Sequence, residues 1–306
     1  MKIILDLDTG IDDALALAYA LAHPDLDLIG ITGTYGNVPV ELGVRNALAL
    51  LELLGADNVP VYTGPTREGF TVAPISAFIH GRNGLGEILL PPPRRTAQGD
   101  AVDFLIQSVR EHGEELVIVP TGPSTSIAAA MQKDPDFARN ARIVMMGGAL
   151  TVPGNVTPFA EANVFQDPQA TDYVFRHAQD LTMVGLDVTL RTLLTTEHTA
   201  QWRTTPAGRV YADIVDYYIG AYATTSPHLG GCGLHDPLAV AVAADPSFVE
   251  CIDLNLRCEE NGRTIGDSER LSAPATTRVA VGVDAPRFVD DLMSKLTSLY
   301  TSTSAC

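Results

Sequence analysis

The sequence predicts an α/β fold: a mainly parallel open sheet with helices on both faces, in a single domain spanning residues 1–306. Three observations carry this. Short apolar runs alternate along the chain with longer helical patterns. Several of the runs are apolar throughout, as strands covered on both faces must be. The chain is 46% hydrophobic and 19% charged, enough apolar material for a large core.

Taken in order, residues 2–7 form an apolar run ending in acids, and 12–21 a helix that is apolar around most of its surface. Residues 28–32 read as the next strand. Residues 39–54 read as a helix, with Leu42, Asn46, Ala49, Leu50 and Leu53 at three- and four-residue spacing. A brief strand at 59–62 is followed by a helix at 100–112 and a buried strand at 115–120. A proline opens the helix 123–131. Residues 142–146 are a buried strand, 168–177 a helix and 181–185 a strand. Helices dominate 197–222, and His235-Asp236-Pro237 opens an apolar helix at 238–244. Strands near 249–258 and at 278–283 precede a final helix at 286–299, and the tail 301–306 is expected to fray. The succession is Rossmann-like. In such sheets ligands bind beyond the carboxyl ends of the strands.

Charge narrows the function. The formal net charge is 20 − 37 = −17. Nucleic acid and anionic membranes both demand a basic face, so neither is an expected partner. Only Lys2, Lys133 and Lys295 are available for lysine chemistry. Asp6 interrupts the opening apolar run, so no signal peptide is expected there. The longest apolar stretch, 14–22, is too short to span a bilayer. Cys232, Cys251, Cys258 and Cys306 form no Cys-x-x-Cys pair, which points to reduced thiols in a cytoplasmic protein.

The most specific feature is Asp6-Leu7-Asp8-Thr9-Gly10-Ile11-Asp12-Asp13, at a strand end and a helix start. Helix capping accounts for Asp12 alone. Four converging carboxylates repel one another, and a bound cation is the usual remedy. Oxygen donors without Cys or His suit Ca²⁺ or Mg²⁺. An EF-hand is excluded, because Leu17 stands where its twelfth-position carboxylate belongs. Asp-x-Asp-x-Thr also resembles the nucleophile loop of haloacid-dehalogenase-like phosphohydrolases. That chemistry requires a later lysine, and Lys133 lies in the polar stretch 132–136 rather than after a strand.

The segment resembles the Asp-x-Asp-x-Gly-x-Asp-Asp signature of the inosine–uridine-preferring nucleoside hydrolases. Further blocks follow in order: Gly36-Asn37 with Asn46-Ala47, then Pro120-Thr121-Gly122-Pro123. After them come Gly154-Asn155 with Ala160-Glu161-Ala162-Asn163, Asp167-Pro168, and His235-Asp236-Pro237. The resemblance implies Ca²⁺-dependent hydrolysis of ribonucleosides to free base and ribose, in nucleoside salvage. It implies Asp8 as general base and cation ligand, with Asp13, Asp236 and the Thr121 carbonyl as further ligands. Asp6 would support the loop by hydrogen bonds. Asp12, Asn37, Asn155, Glu161 and Asn163 would hold the sugar hydroxyls, although Asn155 also suits a left-handed turn after Gly154.

For the departing base, His235 beside Asp236 and His80 in His80-Gly81-Arg82-Asn83-Gly84 are candidates, the glycines suggesting a mobile loop. Each histidine can equally be structural. Tyr218 and Tyr222, one turn apart, flank the base or pack in the core. The single Trp202 argues against purine recognition by stacked tryptophans. Two departures stand out. Gly122-Pro123-Ser124-Thr125-Ser126 replaces the family's frequent Gly-Pro-Leu-Thr-Asn, and 223–234, expected beside the base pocket, aligns poorly. The resemblance also implies a homo-oligomer, a tetramer or dimer. A phosphohydrolase and a noncatalytic ribose- or nucleoside-binding protein remain as alternatives.

Overall fold

Strand order in the computed structural model, which describes residues 1–303, sets where a ligand can sit. In chain order the strands of the main sheet begin with β1 (Lys2–Leu7), β2 (Asp27–Gly33), β3 (Val61–Thr63) and β4 (Gln98–Asp100). They continue with β5 (Leu116–Pro120), β6 (Arg142–Met146) and β7 (Asp180–Val184). Two small pairs, β8 (Leu193–Leu194) with β9 (Cys232–Gly233) and β11 (Leu256–Cys258) with β12 (Thr264–Gly266), lie outside it. β10 (Val249–Leu254) and β13 (Thr277–Val283) complete the main sheet.

The sheet runs β10-β13-β7-β6-β5-β1-β2-β3-β4, and every neighbour is parallel except β10 against β13. β1 is central. The chain lays β2, β3 and β4 to one side, then returns across β1 to place β5 on the other. That reversal opens a crevice at the carboxyl ends of β1 and β5. Asp6 is in register with Thr32 on β2 and Pro120 on β5, so the residues just beyond, Asp8 and Thr121, face the crevice together.

Helices Ile11–Ala22, Val40–Leu53, Pro206–Thr225, His235–Ala244 and Ala285–Thr303 pack on one face. Helices Ala101–His112, Thr125–Lys133, Pro135–Asn140 and Pro168–His177 cover the other. Ile11–Ala22 and His235–Ala244 pack against each other and are apolar nearly all round, as wholly buried helices are. Their alanines (Ala14, Ala16 and Ala18; Ala239, Ala241 and Ala243) carry little side-chain bulk, and their first turns hold Asp12, Asp13 and Asp236.

The structure departs from expectation where elements are short. Helices Pro74–His80, Pro135–Asn140, Ala162–Gln166 and Leu186–Thr189, and strands β4, β8, β9 and β12, span too few residues for periodicity to register. The final helix continues through Thr301–Thr303 instead of fraying, because Tyr300 is buried against Tyr211 and Trp202; residues 304–306 lie outside the described residues. No helix among the described residues is long and apolar enough to cross a membrane.

Phe288 joins the last helix to the core, edge-on to both Tyr19 and Phe248. Phe288→Ala should cost about 3–5 kcal/mol of unfolding free energy, read from urea denaturation.

Candidate active site

β1 delivers Asp6 and Asp8 to the crevice, and the following helix delivers Asp12 and Asp13 from its first turn. Asp236 arrives from the first turn of His235–Ala244, far along the sequence. All five carboxylates are buried. Asp6 lies lowest and accepts a hydrogen bond from Thr32 Oγ1 at 2.6 Å, a supporting position. Asp8 Oδ2 accepts from the Asn37 amide at 2.6 Å. Asp13 accepts from the Gly10 amide at 2.7 Å and from Thr121 Oγ1 at 2.7 Å. Asn37 Nδ2 reaches Asp13 at 3.4 Å.

Two glycines make room for this. A Cβ on Gly36 would stand 1.9 Å from Asp8 Oδ2, and one on Gly10 would stand 2.6 Å from His80 Nδ1. Only glycine allows the loops so close to Asp8 and to His80.

These acids are suited to a hard cation. Oxygens of Asp12, Asp13 and Asp236 all lie within 4.8 Å of one another. Asp8 Oδ1 and Asp12 Oδ1 are buried and receive no hydrogen bond. Such oxygens cost folding free energy unless something positive meets them. The Thr121 carbonyl already accepts from Asn163 Nδ2 at 2.6 Å and keeps a second lone pair. Thus Asp12, Asp13 and Asp236 form the tightest trio, Thr121 hydrogen-bonds to Asp13, and Asp8 feels the charges of Asp12 and Asp13.

Burial dominates the electrostatics. It pushes Asp6 up to about 7 and Asp12 and Asp13 up to about 6. Asp8 and Asp236 are driven well above the carboxylate range by burial, with repulsion from neighbouring acids adding to it. Burial pushes His80 and His235 down to about 4, so both imidazoles are neutral at pH 7.

A cavity of about 470 Å³ opens above the acids. Asp12, Asn37, Thr121, Asn155, Glu161, Asn163, His80, Tyr218, Tyr222, His235 and Asp236 all line it; Asp8 and Asp13 do not. Glu161 caps the helix Ala162–Gln166, accepting from the Asn163 and Val164 amides, and also holds the Gly148 amide. Asn155 is exposed at the rim, and its backbone is not left-handed, so the turn reading of that residue falls.

His80 Nδ1 accepts from the Ile11 amide at 3.2 Å, which places the ring proton on Nε2. The glycines after His80 answer to conformation: Gly81, Gly84 and Gly86 have φ of 77°, 79° and 63°. His235 Nε2 lies 2.6 Å from the Tyr222 hydroxyl, and Nδ1 lies 2.8 Å from Thr189 Oγ1. Tyr218 donates to Asp12 at 3.4 Å and stands edge-on to Tyr222.

Sequence reasoning missed the cavity's apolar wall of Ile75, Ile79, Val152, Leu190 and Leu229. Apolar residues on short elements carry no signal that separates a wall from core. The segment 223–234 does reach the cavity, through Thr225, Ser226, His228 and Leu229. Lys133 lies away from it and pairs with exposed Asp103, which leaves a phosphohydrolase without its cation.

Comparison with known proteins agrees with this geometry. Residues 3–290 match the family described as inosine-uridine preferring nucleoside hydrolase. A structure titled a purine-preferring ribonucleoside hydrolase from Gardnerella vaginalis superposes with a TM-score of 0.97 at 54% identity, over 99% of this chain and 100% of that one. A probable uridine nucleosidase 2 of Arabidopsis thaliana is 37% identical, over 96% of this chain and 97% of its own. A pyrimidine-specific ribonucleoside hydrolase RihA of Shewanella sp. (strain ANA-3) is 35% identical, over 98% and 97% respectively.

The pKa shifts fix how stability varies with pH. The raised acids stabilise the cation-free fold fully only below about pH 4, and that contribution is lost as pH rises through about 6 to 7. The lowered histidines act oppositely, losing their contribution as pH falls from about 6.5 through about 4. Above about pH 6.5 the histidine contribution is nearly complete and the more numerous raised acids dominate. The melting temperature of chelated protein should therefore fall from pH 6.5 to 7.5, and added Ca²⁺ should raise it more at 7.5 than at 6.5. Scanning fluorimetry reads both.

Proposed function

This chain belongs to the inosine–uridine-preferring nucleoside hydrolase family and hydrolyses ribonucleosides, and from that premise we propose a Ca²⁺-dependent site that prefers purine ribonucleosides. The observation that supports the cation is the buried acid cluster, where two oxygens of the proposed ligands, Asp8 Oδ1 and Asp12 Oδ1, are reached by no donor. Asp12, Asp13 and Asp236, whose oxygens gather together, are joined by Asp8 and the Thr121 carbonyl, from the family resemblance, as the oxygens that would hold Ca²⁺. Bound there, the ion would supply the positive charge that makes a nearby water more acidic and gives sugar hydroxyls a partner.

The chain's own residues do the rest. Asp8 accepts the proton of the attacking water. Asn37, Asn155, Glu161 and Asn163 receive the ribose hydroxyls. The carboxylate floor favours positive charge growing on the sugar ring as the bond from C1′ to nitrogen breaks. That bond's electrons leave with the base, and the water's oxygen bonds to C1′. His80, with its proton on Nε2, and the Tyr222–His235 pair line the cavity where the base would leave and can steady it by hydrogen bonding, its proton coming from solvent.

Purine preference is supported by the 54% identity to a purine-preferring enzyme, against 37% and 35% to the uridine- and pyrimidine-named relatives. Tryptophan stacking plays no part, because Trp202 is buried against Tyr300, away from the cavity. Release of free base and ribose suits a role in nucleoside salvage. Three unpaired cysteines among the described residues support a reducing, cytoplasmic setting. A homo-oligomer, dimer or tetramer, completes the reading.

A panel of ribonucleosides assayed for released base, with and without chelator, tests it. Inosine should turn over faster than uridine, and chelation should abolish both. Asp8→Asn should lower kcat at least ~10²-fold; near-normal turnover would remove Asp8 from the mechanism.

A further inference from the structure

Helix Pro74–His80 brings one more polar group to the cavity. Ser76 lies one turn before His80, on the same helix face, and both are buried cavity-lining residues. Helical serines often return their hydroxyl to the carbonyl one turn back. Ser76 does not: among the described residues its hydroxyl has no hydrogen-bond partner. The same cavity is lined by apolar Ile75, Ile79 and Leu229 and by polar Ser226 and His228 from the segment 223–234. The helix is pinned in place, because the Tyr217 hydroxyl donates to the Phe78 carbonyl at 3.3 Å and His80 receives the Ile11 amide.

His80 marks the near end of this helix, since its Nδ1 lies 3.8 Å from Asp12. Four residues of helix carry Ser76 about 6 Å further along the axis from His80. A ribose held over the acids would extend its base past His80 to about that distance. A hydroxyl both donates and accepts, so it can meet a ring carbonyl, a bare ring nitrogen or a ring N–H.

We propose that Ser76 is a specificity-determining residue whose hydroxyl hydrogen-bonds the polar edge of the nucleobase and so favours 6-oxopurine ribosides over ribosides whose aglycone has no ring nitrogen, N–H or carbonyl. This rests on the ribonucleoside hydrolase reading and extends it to a residue that reading does not use.

The test compares inosine with p-nitrophenyl β-D-ribofuranoside, whose aglycone lacks an amide edge and leaves without needing a proton. Ser76→Ala should lower the ratio of kcat/KM for inosine to kcat/KM for the nitrophenyl riboside about fivefold to tenfold. Ser76→Thr, which keeps the hydroxyl, should restore much of the ratio. An unchanged ratio, including an equal loss on both substrates, would overturn the proposal. Wild-type protein that releases nitrophenol but no base from inosine would also overturn it, while leaving the hydrolase reading intact. Failure on both substrates would instead remove the hydrolase reading itself.

Discussion

Five aspartates share one buried crevice, and almost everything else in this site follows from the need to tolerate them. Carboxylates taken out of water repel one another strongly when few donors reach them. Here the donors are few. The Asn37 and Gly10 amides, Thr32, Thr121 and Tyr218 engage some oxygens, while Asp6 Oδ2, Asp8 Oδ1 and Asp12 Oδ1 meet none. Protonation relieves the strain in the cation-free protein, which is why burial lifts these groups so far. A hard divalent cation relieves it in another way, and leaves the acids ionised for chemistry.

The fold supplies that crevice by topology. A chain that builds outward from a central strand and then returns to its other side leaves a gap there. Two apolar helices begin at the gap and aim their first turns into it. Their N-terminal dipoles favour the negative charge they carry. Glycines at positions 10 and 36 bring the loops within touching distance of Asp8 and His80. Above the floor the cavity changes character, from carboxylates through Asn163 and Glu161 to imidazoles and then to an apolar wall. That gradient matches a ligand with a polyhydroxylated end and a flat, partly apolar one.

Legibility in the sequence tracked the range of the interaction. The run from Asp6 to Asp13 is local, so its spacing announced both the strand end and the acid cluster. The strand 142–146 and the helix 168–177 were equally plain, because each is long enough or apolar enough to show its pattern. Asp236 is a single acid in an apolar helix start, and only the ordered series of blocks connected it to the first cluster. Ser76, Ile75, Ile79 and Leu229 were invisible. Their helix has seven residues, and nothing in a short apolar stretch separates a cavity wall from core. Asn155 shows the opposite case: taken alone it suits a left-handed turn, only the ordered blocks point it to the sugar, and its backbone is not left-handed.

The central claim is that the buried acids exist to hold one divalent cation. Equilibrium dialysis with radioactive Ca²⁺ at pH 7.5, on wild-type protein and on Asp13→Asn, tests it most directly. The account predicts one saturable ion per chain in the wild type, and clearly weaker binding in the variant. Absence of stoichiometric binding, or binding that Asp13→Asn leaves untouched, would contradict it.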